Sequence, residues 1–261
     1  MRTFATAGTA AALVASVSAH GHVASIVAGS KTYTGYDPSF SYQTPAPKVP
    51  GWSAQNLDNG FVEPSSFSSP DIICHKEGKP GQSYVEVAAG EEVKLQWSTW
   101  PDSHVGPIID YLASCDGDCT TVDKTKLQFV KIDQDGYHSG SSPGEWATTD
   151  LISNDFTWSA KIPKDLKAGN YVLRHEIIAL HSAGQENGAQ AYPQCVNLKV
   201  TGSGSTAISG GESATEFYKA DDAGIKFNVY TEDIKYTIPG PALWKSAAAK
   251  LRRHVRDFTG Y

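Results

Sequence analysis

"GNYVLRHEIIALHS", residues 169–182, decides how the rest of the chain is read. Its apolar residues do not recur at the three-to-four spacing of a helix. Leu173, Ile177 and Ala179 instead fall on one period-two face, together with His175 and His181. That period belongs to a β-strand. On either side the same alternation returns in shorter form. "YVEVAAGEEVKLQWS" (84–98) alternates Val85 and Val87, then Val93, Leu95 and Trp97, around an Ala-Gly turn, which predicts a hairpin. "LQFVKID" (127–133), "FTWSAKIP" (156–163) and "NLKVTG" (197–202) alternate likewise. Many short strands with no sustained helical period predict an all-β fold. The expected form is an antiparallel, immunoglobulin/fibronectin-like β-sandwich with long loops, a β-barrel being the alternative.

The 261 residues, 40% of them hydrophobic, are enough for one well-cored domain. A net charge of −6 argues against a nucleic-acid binder, which needs a concentrated basic face. After the N-terminus no apolar run is long enough to cross a membrane. Residues 31–60, 101–106, 133–149 and 202–240 read as long irregular loops, where function usually lies. There is no internal repeat and no Ser/Thr/Pro-rich linker leading to a second module. Residues 245–261, "KSAAAKLRRHVRDFTGY", form a basic tail that could be a short surface helix, with Arg252-Arg253 as a candidate processing site.

Residues 1–19 read as a secretory signal peptide, with Arg2, an apolar stretch around Ala10–Ala15, and small residues at Val17-Ser18-Ala19. Cleavage after Ala19 makes His20 the first residue of the mature chain. Secretion makes disulfides the expected state of Cys74, Cys115, Cys119 and Cys195. Three connectivities are open. The closeness of Cys115 to Cys119 favours a local loop, leaving Cys74 with Cys195.

An N-terminal histidine offers a metal two nitrogens from one residue, its α-amine and its ring. The amine gives up its proton near pH 8, so a metal competes for it under mild conditions. A second imidazole would complete an all-nitrogen, T-shaped set, the kind that suits Cu(II). His22, His75, His104, His138, His175, His181 and His254 are the candidates. His104, in the Pro/Gly-bounded loop "WPDSHVGPI" (100–108), is placed for display. No His-x-x-x-His or cysteine cluster of the kind zinc favours is present.

The ordered blocks "AHGHV" (19–23), "DIICHKEGKPG" (71–81), "SHVGPIIDYLASC" (103–115), "PGEWATTDLI" (143–152), "IPKDLKAGNYVLRHEIIALHSAG" (162–184), "AQAYPQC" (189–195) and "YTIPGPALW" (236–244) resemble the fungal lytic polysaccharide monooxygenases that act on cellulose, auxiliary activity family nine. The resemblance runs from His20 to about Trp244. It implies one copper ion held by the amine and ring of His20 and by the ring of His104, the histidine brace, with Tyr192 as a weak axial ligand. It implies that His181 and Gln190 hydrogen-bond oxygen species beside the metal. Gln190 and Tyr192, two apart, share a face if their segment is extended. The same resemblance pairs Cys74 with Cys195 and Cys115 with Cys119.

The implied protein is a secreted, monomeric domain of residues 20–244, with a flat face for cellulose or a related β-glucan. It would cut β-1,4-linked chains at C1 and/or C4, using O2 or H2O2 and an external electron donor, a small reductant or a redox enzyme. Tyr236 is the first candidate for stacking on sugar, followed by Tyr36 and Tyr42. Each residue also has a plainer reading. Tyr192 could be a core tyrosine, His181 a rim histidine, and His175 a packing residue or structural hydrogen-bonder. The rival functions are a non-catalytic polysaccharide-binding sandwich that captures metal, and a zinc hydrolase.

Overall fold

The computed structural model describes residues 20–245. The expected signal segment 1–19, and the tail's residues 246–261 with His254 and Arg252-Arg253, lie outside the described residues. Two sheets face each other. One holds β2 (Lys31–Thr34), β1 (Val23–Ala28), β4 (Glu92–Trp97) and β9 (Thr157–Lys161), in that order. The other runs β3 (Val85–Ala88), β11 (Gln190–Thr201), β10 (Gly169–Ala179), β5 (Ile108–Ser114) and β6 (Phe129–Asp135). A small hairpin of β7 (Tyr137–Ser139) and β8 (Glu145–Trp146) leads into the helix α2 (Ala147–Ser153), and a one-turn helix α1 (Asp71–Cys74) precedes β3. The β-sandwich expected from the alternation is therefore present. No described helix is long and apolar enough to cross a membrane.

Three details depart from the sequence reading. β3 and β4 are not a hairpin: β4 pairs with β1 and β9, while β3 joins the other sheet, parallel to β11. Val85 and Val87 share the inter-sheet core with Val93, Leu95 and Trp97, so both strands bury one face toward the same interior. Alternation reports a half-buried strand but not its partner, and the turn at Gly90, with φ +89°, carries the chain from one sheet to the other. The β3–β11 pairing also makes the larger sheet mixed rather than wholly antiparallel. In addition, residues 31–34 and 137–146, read as loop, contain β2 and the β7–β8 hairpin.

β10 lies in the middle of the larger sheet and is buried on both faces. Tyr171, Leu173, Ile177 and Ala179 pack against the facing sheet. Val172 and Ile178 pack under the long loops, against a second core that includes Trp52, Phe67, Ile72 and Phe217. Burying a large apolar side chain fully contributes about 1.5–3 kcal/mol, so the two cores together hold β10 firmly. Three polar residues also lie within it. Arg174 and Glu176 form a two-pronged ion pair of 2.8 and 2.6 Å on the loop-covered face. Arg174 also donates to the carbonyls of Ile72 and Ile73, and Glu176 accepts from Tyr218.

His175, on the opposite face, has the structural role its position allowed. Trp97 Nε1 donates to His175 Nε2 at 3.0 Å, which leaves the proton on Nδ1 for Asp110 Oδ1 at 2.7 Å. Trp158 Nε1 donates to the other Asp110 oxygen at 2.9 Å. Both disulfides are formed as expected: Cys74–Cys195 ties α1 to β11, and Cys115–Cys119 closes a local loop after β5.

Candidate metal centre

The histidine-bearing segments leave the sandwich at one end. β1 begins and β4 ends there, with His22 and Ser98 exchanging backbone contacts: Ser98 N donates to His22 O at 2.9 Å. A Cβ on Gly21 would overlap the Thr99 carbonyl, so only glycine lets His20 run beside the loop that follows β4. That loop turns at Pro101, whose carbonyl accepts from His104 N at 3.0 Å, and leads into β5. On the neighbouring strand, Leu180 N donates to Val105 O at 2.8 Å, which sets the end of β10 against the His104 segment. β10 itself stops at Ala179, and a turn rather than the strand carries His181.

Four rings gather at this end. His20 and His104 are 5.1 Å apart between centroids and steeply inclined, at 63°. Tyr192 lies 5.4 Å from His20. His181 lies 3.8 Å from His104. Trp100 braces the group from below, 5.0 Å from Tyr192 and edge-on to it, while its indole N–H donates to the His104 carbonyl at 2.9 Å. Phe61 closes another side, 6.1 Å from His20 and 5.9 Å from Tyr192. Gln190 and Tyr192 do share a face, and Tyr192 OH donates to Gln190 Oε1 at 2.7 Å.

The electrostatics favour neutral imidazoles. Burial, assisted by His181 and His20, pushes His104 down to about 4. Burial also lowers His20, offset in part by the Asp58 carboxylate, and lowers His181, where His20 adds to the effect. Burial, and then Asp58, raise the Tyr192 phenol, so it keeps its proton. A neutral imidazole carries the lone pair that a metal needs, and it is available without first losing a proton. Ser103 Oγ meets His104 Nδ1 at 3.1 Å. With Nδ1–H donating there, His104 Nε2 is left as a lone pair. His181 Nδ1 is buried with no hydrogen-bond partner among the described residues. Buried polar atoms without a partner are rare in native proteins. Two imidazoles and a phenol in a neutral, half-buried cluster form a nitrogen-rich donor set that fits Cu(II).

The remaining histidines are engaged elsewhere. His22 Nδ1 meets Asn59 Oδ1 at 3.0 Å, and His75 Nε2 meets the Gly60 carbonyl at 2.9 Å. His138 lies between Asp135, at 3.0 Å, and Asp150, at 3.8 Å, an exposed contact of the β7–β8 hairpin with the end of β6 and with α2.

The tyrosines proposed for sugar stacking occupy three different settings. Tyr42 closes a short 3-10 turn, Pro38–Tyr42, and is 76% exposed. Tyr36 is half-buried and edge-on to Phe40. Tyr236 is packed, its ring 4.8 Å from Trp146 and 5.0 Å from Phe227, its hydroxyl donating to the Gly224 carbonyl at 2.8 Å. It is half-buried. A tyrosine not singled out from the sequence, Tyr230, is 59% exposed. Its segment lies against the turn that begins at His181, because Phe227 N donates to Ala183 O at 3.0 Å. Period-two reading of "FNVY" contains the signal: buried Val229 shares parity with Phe227, which turns Tyr230 outward. Leu57, 47% exposed, lies beside Asp58 in the loop that leads to Phe61.

Residues 20–237 match the model of Auxiliary Activity family 9 (formerly GH61). The chain is 55% identical over 245 residues to AA9 family lytic polysaccharide monooxygenase H of Thermothelomyces thermophilus, covering 93% of this chain and 70% of the relative. It is 54% identical to AA9 family lytic polysaccharide monooxygenase I of Botryotinia fuckeliana, covering 92% and 90%. Among solved structures, the extended catalytic domain of H. jecorina LPMO9A superposes with a TM-score of 0.84 at 53% identity, covering 87% of this chain and 91% of that one. A cellulose-active polysaccharide monooxygenase from M. thermophila superposes with a TM-score of 0.74 at 31% identity, covering 87% and 99%. The ring cluster at the end of the sandwich thus has its context: this chain belongs to Auxiliary Activity family 9 and is a lytic polysaccharide monooxygenase, an oxidoreductase.

Proposed function

We propose that the chain is secreted and, once residues 1–19 are removed, uses one copper ion to cleave cellulose or a related β-glucan oxidatively at C1 and/or C4. The co-substrate is O2 or H2O2, and electrons come from an external donor, a small reductant or a redox enzyme. The observation that carries this reading is the meeting of His20, His104 and Tyr192 with ring centroids 5.1 and 5.4 Å from His20. Removing the leader would free the His20 amine, so that amine, the His20 ring and His104 Nε2 would offer copper three nitrogens, and the Tyr192 phenol a weak oxygen contact. When bound, copper supplies one-electron redox chemistry with an open coordination position, which zinc cannot provide.

The chain's own side chains then do the rest. Trp100 and Phe61 wall the cluster and fix the rings they touch. Tyr192 retains its proton and directs it to Gln190 Oε1, so its phenol oxygen would meet copper as a neutral, weak donor. His181 and the Gln190 amide are the groups that would hydrogen-bond the oxygen co-substrate. Tyr42 and Tyr230 present ring faces to pyranose units, an apolar surface with a polar tip that suits a sugar.

The test is chemical. Protein beginning at His20, loaded with copper and mixed with cellulose and ascorbate, releases oxidised oligosaccharides detectable by mass spectrometry. The products depend on the reductant and disappear in His104→Ala. Cellulose binding without such products favours the non-catalytic module, and products without reductant favour a hydrolase.

A further inference from the structure

His75 sits where few side chains are tolerated. Its backbone has φ 71° and ψ 173°, a region essentially reserved for glycine. Its side chain is 1% exposed. Both ring nitrogens are committed to the backbone. Lys76 N–H donates to Nδ1 at 2.8 Å, so the ring proton is on Nε2, which donates to the Gly60 carbonyl at 2.9 Å. A glycine would relieve the backbone, yet a histidine is retained, and such an outlier survives only where its surroundings over-determine it.

Those surroundings lead to the metal centre. The Gly60 carbonyl belongs to the peptide that enters Phe61, whose ring touches both His20 and Tyr192. The next residue, Val62, exchanges hydrogen bonds of 2.9 and 3.0 Å with Ala191, the chain neighbour of Tyr192. On the other side, Asn59 Oδ1 meets His22 Nδ1 at 3.0 Å, two residues from His20. Residues 59–62 are therefore suspended from His22, His75 and Ala191. His75 in turn is anchored by its neighbour Cys74, whose disulfide reaches Cys195 on β11.

We infer that His75 is a positioning residue for the copper centre, fixing the Gly60–Phe61 peptide and, through the Phe61 ring, the orientation of His20 and Tyr192. The inference rests on the copper reading above. Burial pushes the ring's pKa down to about 4, so the strut stays neutral above that pH.

The experiment compares the Cu(II) paramagnetic spectrum and copper Kd of wild type, His75→Ala, His75→Gln and Phe61→Ala, each processed to begin at His20. Glutamine places an N–H near the position of Nε2, so His75→Gln keeps the wild-type spectrum. His75→Ala shifts it and weakens copper about tenfold, within the range for residues that orient metal ligands. If His75→Ala does not fold, Phe61→Ala carries the test and shifts the spectrum in the same direction. A folded His75→Ala with the wild-type spectrum and Kd overturns the inference, as does an equal shift in the alanine and glutamine variants or an unshifted Phe61→Ala. Wild-type protein that takes up no copper defeats the copper reading itself, whereas normal uptake with unchanged variants defeats only the role of His75.

Discussion

Two polar clusters hang from the same strand, and they are built on opposite principles. On the loop-covered face of β10, Arg174 and Glu176 are completely buried, and their ionic and hydrogen-bonding capacity is met by each other, by Tyr218 and by backbone carbonyls. Beyond the strand's end, the His20, His104 and His181 rings crowd together while burial holds each below the usual imidazole range. The first cluster has nothing left to offer a ligand. The second gathers lone pairs, including a buried His181 nitrogen with no partner among the described residues. A closed network of charges is structural, whereas neutral imidazoles drawn together keep lone pairs that a metal can use.

The largest effect that can break this contrast is on stability. Arg174→Met strands the Glu176 carboxyl and should cost about 3–5 kcal/mol, read by denaturant unfolding. The double variant Arg174→Met/Glu176→Leu should recover most of that loss, because a buried pair contributes little over apolar packing. If Arg174→Met also changed the copper affinity of the folded protein, the two clusters would not be independent.

A pH experiment comes next. His75 has a folded value of about 4 against an ordinary 6.5, set chiefly by burial. The unfolded chain therefore takes up the proton first as pH falls, so stability present above pH 6.5 is lost on the way to pH 4. The loss amounts to about 3 kcal/mol, and it is absent from His75→Gln. Asp133 acts in the opposite sense: burial and then Asp110 raise it to about 7, so the folded state takes up that proton first and gains stability as pH falls from 7. The difference between wild type and His75→Gln, not the wild-type curve alone, is the measurement.

At the histidine end, one extra residue before His20 acylates the amine and should weaken copper by about a hundredfold or ~2.7 kcal/mol. Its unfolding curve without metal should match that of the trimmed protein. Titration calorimetry showing equal affinity would remove the amine from the site. The smallest effect expected is from Cys115→Ser/Cys119→Ser. Its bridge spans a separation of only 4, so the loop entropy released is about 2 kcal/mol and copper binding is untouched.

Much of the site was legible in local chemistry. His20 followed a run of small residues, His104 stood in a loop bounded by proline and glycine, and Gln190 and Tyr192 had the spacing of one strand face. Tyr230 was legible too, through its alternation with Val229, whereas Tyr236 was singled out by the resemblance alone. Whether it is exposed depends on Trp146 and Phe227, which arrive from distant segments. Nothing near His75 in the chain marks it as a neighbour of the loop at Gly60.

The amino-acid sequence by itself determined that strands alternate, where they turn, that the four cysteines form two bridges, and which donors a trimmed chain would present. These follow from short-range stereochemistry and from the nature of each side chain. Only the tertiary structure decided that β3 leaves its apparent hairpin partner for β11, and that β10 is covered on both faces. It alone decided that Arg174 is sealed in while His181 is left with an unused nitrogen. Those outcomes depend on which distant segments cover a given face, and burial by remote residues leaves no periodic mark in the local sequence.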